Sequence, residues 1–136
     1  MKKSVKIVAA LCLMAALVLT LAACGKKDPV GIWECTNYQE AIVKGYRARG
    51  NSYERINEVI AESGPLSLTM ILQADHSVTT HIYAGKKEDT HTAEWMETEN
   101  GIAIIGDDAD IVYFEWDGSK LVGTEDGCFV YIFQKR

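Results

Sequence analysis

Two histidines are candidate metal ligands. His81 and His91 flank a segment that holds Glu88 and Asp89, and a hairpin there would bring the two rings across neighbouring strands. Zinc needs three or four ligands in a fixed geometry. Facing histidines on an exposed hairpin are more often only polar surface. We therefore predict no metal site and no cofactor.

Other reactive residue types form no recognisable catalytic pattern. Asp107, Asp108 and Asp110 crowd one turn, but they lack the ligand spacing and the glycine of a calcium loop. Ser52 has Glu54 two residues later, where a nucleophile elbow needs glycine. Carboxylates are abundant, so a glycosidase pair stays open, but no pair is singled out. We expect the protein not to be an enzyme.

The N-terminus has the pattern of an exported protein. Met1–Lys6 is basic, and Ile7–Ala23 is an apolar run of 17 residues that ends in small side chains. This order is typical of a secretory signal. An uncleaved membrane helix is the alternative, because 17 residues reach the short limit of the roughly 17–25 that span a bilayer.

Leu21-Ala22-Ala23-Cys24, which closes this run, resembles a bacterial lipobox. The resemblance implies cleavage after residue 23 and attachment of diacylglycerol to the sulfur of Cys24. Two acyl chains anchor a protein stably, whereas one holds it only marginally. We therefore predict a signal peptide over 1–23, a lipidated tether over 24–29 and one domain over 30–136. The protein would be lipid-anchored on the extracytoplasmic side of the cell membrane or of an outer membrane.

The mature chain is short and acidic. Removing the leader leaves 113 residues, with 11 basic against 19 acidic side chains and a formal charge of −8. This size suits one compact domain. The charge argues against a nucleic-acid partner, since such partners need basic patches. We also expect a monomer.

Two cysteines remain after the leader and the lipidated residue are set aside. Cys35 and Cys128 are a candidate disulfide pair, because export permits oxidation. A bridge would close almost the whole domain, and a loop near 100 residues gives about 4.7 kcal/mol in the chain-entropy model. The alternative is two small buried thiols.

Most of the domain alternates between apolar and polar residues, which is the pattern of short strands. Turn signals separate the segments, including the hairpin pair Asn100-Gly101. The pattern predicts about eight strands in an antiparallel meander, a mostly β barrel or sandwich. The segments are Val30–Thr36, Leu66–Gln73, Val78–Tyr83, His91–Glu97, Ile102–Ile105, Ile111–Trp116, Lys120–Gly123 and Cys128–Gln134, with a charged turn predicted over Ala84–Asp89.

One insertion, Tyr38–Pro65, has helical periodicity instead. Asn51 offers an N-cap with Glu54 three residues later, and Gly64-Pro65 ends the helix. The insertion carries 4 of the 11 mature basic residues, Lys44, Arg47, Arg49 and Arg55. Two interpretations stay open: a helical plug with solvated charges, or a cationic lid that selects an anionic or aromatic partner.

Gly31-Ile32-Trp33 at the start of the first strand, followed by a long segment and a meander, resembles the lipocalin-like domains of small bacterial lipoproteins. The resemblance covers Val30–Arg136 and rests on Gly31 and Trp33. It implies a closed eight-stranded barrel, with the Trp33 ring beneath a basic residue, Lys135 or Arg136. It also makes the first and last strands neighbours, which would bring Cys35 and Cys128 within reach.

These expectations favour a non-catalytic binding module for a small molecule or an envelope protein. Tyr46, Arg47 and Tyr53 are the candidate contact residues. Aromatic side chains are expected to fill much of an eight-stranded barrel, which favours contact at its rim over a deep cavity. The alternative is an inhibitor or structural accessory that docks on another envelope protein through the barrel surface.

Overall fold

The computed structural model describes residues 27–107 and 110–136. The predicted signal peptide and the lipidation residue Cys24 lie outside the described residues. The elements in chain order are β1 Gly31–Cys35, α1 Tyr38–Ala48, α2 Tyr53–Ser63, β2 Leu66–Leu72, β3 Ser77–Ala84, β4 Lys87–Glu97, β5 Gly101–Ile105, β6 Ile111–Asp117, β7 Lys120–Glu125 and β8 Phe129–Lys135.

The eight strands form one closed antiparallel barrel. Each strand pairs with the next along the chain, and β1 pairs with β8 to close the ring. At this closure Trp33 lies on the central strand of the three, with Cα partners Met70 on β2 and Lys135 on β8. The predicted eight-stranded meander with a helical insertion between β1 and β2 is confirmed. The expectation that the first and last strands are neighbours is also confirmed.

One end of the barrel is closed by tryptophan. Trp33 is 1% exposed, and its Nε1 donates to the carbonyl oxygen of Pro29 at 2.8 Å. Its ring lies 5.7 Å from that of Trp116. The Lys135 ammonium sits 5.9 Å from the Trp33 ring centroid and donates to the Asp28 carbonyl oxygen at 3.0 Å. Of the two basic residues named in the sequence analysis, Lys135 is therefore the one that lies over the Trp33 ring.

The two helices lie at the opposite end. α1 packs on β8 and β2 through its small residues, with Ala41 3% exposed and Gly45 buried against the ring of Phe129. A face of small residues gives a weak hydrophobic signal. The helical periodicity predicted for the insertion covers α1, but this signal does not show which face of α1 packs on the barrel.

The second helix begins one residue later than its sequence signal indicates. Its N-cap is Ser52, whose Oγ accepts from the Arg55 backbone N–H at 3.2 Å. Asn51 is therefore not the cap, and Glu54 stands one position too early to complete the capping box. Gly64 ends the helix as predicted, at a φ of 87° that favours glycine.

The predicted charged turn over Ala84–Asp89 is mostly strand. β3 runs to Ala84 and β4 starts at Lys87, so only Gly85 and Lys86 turn the chain. Every residue from Lys87 to Thr92 is exposed, because this hairpin extends beyond the packed part of the barrel. A strand that is polar on both faces has no alternation from which a sequence pattern could identify it.

The candidate disulfide between Cys35 and Cys128 is not formed in this structure. Both thiols are free and half buried, and Cys35 stands opposite Phe133, five residues along from Cys128. At about 3.3 Å per strand residue, this offset exceeds the 7 Å limit between bridged Cα atoms. The Cys35 thiol instead donates to Asn37 Oδ1 at 3.4 Å.

Candidate ligand cavity

The half of the barrel nearer the helices holds a cavity of about 300 Å³ that is open to solvent on one side. It lies between α1 and the inward-facing side chains of the helix-covered half, called the upper half below. Its volume is at the small end of the usual range for ligand pockets. The apolar residues of the lining are Leu68, Met70, Ile82, Ile104, Val112, Phe114 and Phe133, and the polar ones are Tyr38, Thr80, His91, Glu125 and Tyr131.

Side-chain placement explains why this half stays open. The three tryptophans gather in the closed half, where Trp33 and Trp95 are almost completely buried. In the upper half the Phe114 ring folds over Gly123, so close that a Cβ at residue 123 would lie 2.4 Å from it. Because Gly123 has no side chain, the ring moves towards the wall and leaves the centre free. The predicted filling by aromatic residues therefore holds for one half of the barrel only.

Aromatic rings gather at the rim beneath α1. The rings of Tyr38, at the start of α1, and Tyr131, on β8, are 5.9 Å apart and tilted by 43°. Phe129 lies 6.4 Å from Tyr131, with its ring almost parallel at 10°. Burial and the nearby Glu125 carboxylate raise the pKa of both tyrosines. Both phenols are therefore neutral at neutral pH.

Glu125 brings a carboxylate to this rim. It ends β7 on the same face as the buried Leu121 and Gly123, opposite Phe129. Its pKa is raised, first because surrounding protein displaces water and then because Asp126 and Asp110 repel its charge, and Arg49 offsets this only in part. Glu125 is the one carboxylate among the described residues that line the cavity.

The three predicted contact residues do not line this cavity. Tyr46 packs edge-on against Phe129 with ring centroids 5.3 Å apart, and the Arg47 guanidinium lies 4.1 Å from the Tyr53 ring centroid. Tyr53 is 56% exposed and Tyr46 is 41% exposed. The structure thus joins Arg47 to Tyr53 on the outer surface of the helices. Beside them a groove of about 250 Å³ runs between α1 and α2, lined by Ile42, Tyr46, Asn51, Arg55, Ile56, Val59 and Ile60.

Charge pairing argues against a cationic lid. Lys44 pairs with Glu40 at 2.7 Å, and Arg55 pairs with Glu58 at 3.5 Å. Arg49 reaches Asp126 at 2.7 Å. The insertion also holds four acidic residues, Glu40, Glu54, Glu58 and Glu62, against its four basic ones. The helical insertion therefore carries no net formal charge.

The two hairpin histidines point to opposite faces of the sheet. His81 pairs with Thr90 and lies outside, where its Nδ1 is 2.9 Å from Glu88 Oε1. His91 pairs with Thr80 and lies on the cavity side. The rings therefore do not meet. Across the described part of the chain, no three His, Cys, Asp or Glu residues are placed to hold one metal ion.

An apolar strip crosses the outside of the barrel. Met96 on β4 stands beside Ala103, which in turn stands beside Tyr113. Met96 is 48% exposed and Tyr113 is 61% exposed, and Ile111 and Val130 extend the strip at 47% and 42%. Apolar patches on a solvent-exposed surface often mark contact sites for other proteins.

No known protein family, curated protein or solved structure matches this chain. Within the stretches 27–107 and 110–136, no helix has the length and apolarity needed to cross a membrane.

The sequence reasoning missed the polar rim of Tyr38, His91, Glu125 and Tyr131. A signal for Glu125 was present, because it continues the inward side of the alternation of Leu121 and Gly123. No comparable signal marks Tyr38, since its position over the barrel depends on how α1 packs.

Proposed function

We propose that this chain is a lipid-anchored extracytoplasmic protein whose barrel binds one small, largely apolar molecule in the cavity beneath α1. The single observation that supports the binding role is the cavity of about 300 Å³, which opens to solvent on one side and has a mainly apolar wall with a few polar groups. Ligand sites commonly combine these features. The role is non-catalytic.

The position of the cavity fits an anchor at Cys24. The chain enters the barrel at Pro29, under Trp33, so the tether leaves from the closed end. The cavity and both helices lie at the other end. A protein held at Cys24 would therefore direct the mouth of its cavity away from the bilayer.

Labelling with radioactive palmitate tests the anchor. We expect incorporation into the wild-type chain and none into Cys24→Ser, which should move from the membrane to the soluble fraction. Equal labelling of both chains would refute the lipoprotein assignment.

Mass spectrometry of a small-molecule extract tests the cavity. The wild-type chain, purified from its native membranes, should release one molecule in stoichiometric amount. Leu68→Trp fills the cavity and should lose this molecule. Thr69→Trp is the matched control, because it introduces the same side chain at the next residue of β2, which faces outward. If the wild-type chain releases nothing, or if Leu68→Trp retains the ligand, the proposed binding role is wrong.

The apolar strip on the outer wall favours a second function, an inhibitor or structural accessory that docks on another envelope protein. The observation that supports this second function is the solvent exposure of Tyr113 and Ile111. A stoichiometric partner recovered by the wild-type chain, lost on Tyr113→Glu and kept by Leu68→Trp would support docking over cavity binding. A partner that survives Tyr113→Glu would exclude this surface.

A further inference from the structure

The rim of the cavity has the chemistry of a cation site. We infer that the ligand carries a positively charged ammonium group, which is held at the rim by the Glu125 carboxylate and the rings of Tyr38 and Tyr131, while an apolar body fills the interior. This inference rests on the proposed binding function and names the chemical class of its ligand.

The first support is the charge of the lining. None of the described residues that line the cavity is Lys or Arg, and Glu125 is their one carboxylate. Arg49 is the cation that acts on Glu125, but its guanidinium is engaged by Asp126 at 2.7 Å and lies 4.8 Å from the Phe129 ring centroid. Among the described residues the charge of the Glu125 carboxylate is thus only partly compensated, and a ligand cation would supply the missing charge.

The second support is aromatic. A cation is attracted to the face of a neutral aromatic ring within about 6 Å of its centroid. The Tyr38 and Tyr131 rings pack against each other, with centroids 5.9 Å apart and planes inclined by 43°, and both line the cavity together with Glu125. Since the phenols stay neutral, their faces keep the electron density that attracts a cation.

The same features disfavour an anionic ligand. A carboxylate or phosphate at this rim would meet the negative charge of Glu125, whose pKa Asp126 and Asp110 already raise by repulsion. The polar pair on the far strands, Thr80 and His91, offers a hydroxyl and an imidazole but no guanidinium or ammonium. Uncompensated like charges at short range are strongly unfavourable.

Three probes that share a phenylethyl body and differ only in the head group isolate this inference. They are 2-phenylethylammonium, 2-phenylethanol and 3-phenylpropanoate. Binding is measured by saturation-transfer NMR on the full anchored chain in nanodiscs, with empty nanodiscs as the blank. We expect the ammonium to bind about tenfold more tightly than the alcohol, which corresponds to about 1.4 kcal/mol. The carboxylate should bind most weakly.

Two variants connect this preference to Glu125. Glu125→Gln keeps the shape of the side chain and removes its charge, so it should abolish the preference for ammonium over alcohol. Glu115→Gln is the matched control, since it removes one exposed carboxylate from the outer face of β6. It should leave the preference unchanged.

The outcomes separate the two proposals. If the alcohol equals the ammonium, or if the carboxylate binds best, and Leu68→Trp still blocks binding, the inferred ligand charge is wrong and the binding function stands. If the ammonium preference survives Glu125→Gln, the inferred role of Glu125 is wrong. If none of the probes binds above the blank, or if Leu68→Trp blocks none of them, both proposals fall.

Discussion

From the contact between Gly45 and Phe129 we predict that Gly45→Ala lowers the free energy of unfolding of the wild-type chain but raises that of Phe129→Ala. Gly45 lies in the middle of α1, where alanine normally stabilises a helix by about 1 kcal/mol over glycine. In this structure a Cβ at residue 45 would lie 2.0 Å from Cδ1 and 2.1 Å from Cε1 of the Phe129 ring. The ring cannot move freely, because it is 4% exposed and packs against Tyr46 and Tyr131.

The magnitudes follow from these two effects. Overpacking of a filled core costs about 1–3 kcal/mol. It outweighs the gain in helix propensity, so Gly45→Ala should lower the free energy of unfolding by up to about 2 kcal/mol. Phe129→Ala removes the ring, and by itself should cost about 3–5 kcal/mol. In that background Gly45→Ala meets no ring and should stabilise the protein by about 1 kcal/mol.

Urea unfolding followed by tryptophan fluorescence measures all four members of this double-mutant cycle, and the coupling energy is their non-additivity. If Gly45→Ala stabilises the wild-type chain as much as it stabilises Phe129→Ala, α1 is not docked on β8. The helices would then be a mobile lid. The predicted sign reversal identifies α1 as a fixed cover over one side of the barrel mouth.

Three further predictions follow from the rim, the helix surface and the thiols. Folding raises the pKa of Glu125 from its usual 4.5, so the stability that this side chain contributes is fully present below pH 4.5 and is lost as the pH rises through the folded-state pKa. Glu125→Gln should therefore have a higher melting temperature than wild type at neutral pH and the same melting temperature at about pH 4. A lower melting temperature of the variant at neutral pH would contradict this. Arg47→Ala and Tyr53→Ala should each cost no more than the roughly 0.5–1 kcal/mol of an exposed cation–π pair, and should leave the cavity ligand bound, as judged by thermal melting and by the extract. Because Cys35 and Cys128 are free, a reducing agent should leave the melting temperature unchanged, whereas a native bridge would reveal itself by a large drop on reduction.

Much of the fold could be predicted because its signals are local. The strands that are buried on one face, such as β2 with Leu68, Met70 and Leu72, show their alternation directly. The end of α2 at Gly64 follows from the backbone freedom of one residue. Prediction failed where the signal is weak: β4 begins among residues that are exposed on both faces. The helical insertion was predicted, but the face through which α1 packs was not, because it consists of small side chains.

The candidate site divides in the same way. The predicted export signal and the predicted Cys24 anchor rest on short contiguous motifs that can be recognised without any tertiary contact. Both lie outside the described residues and stay predictions. Tyr46, Arg47 and Tyr53 were chosen for residue type within the insertion, but their place outside the cavity depends on the face through which α1 packs. The sequence could not reveal this face.

The sequence by itself determined an acidic chain of short alternating strands with one helical insertion, because hydrophobic period and turn chemistry act between near neighbours. Only the tertiary structure decided that the tryptophans gather at one end and leave an open cavity at the other. It also decided that Glu125, Tyr38 and Tyr131 share one rim. These residues are distant along the chain and meet only through strand register and the docking of a helix.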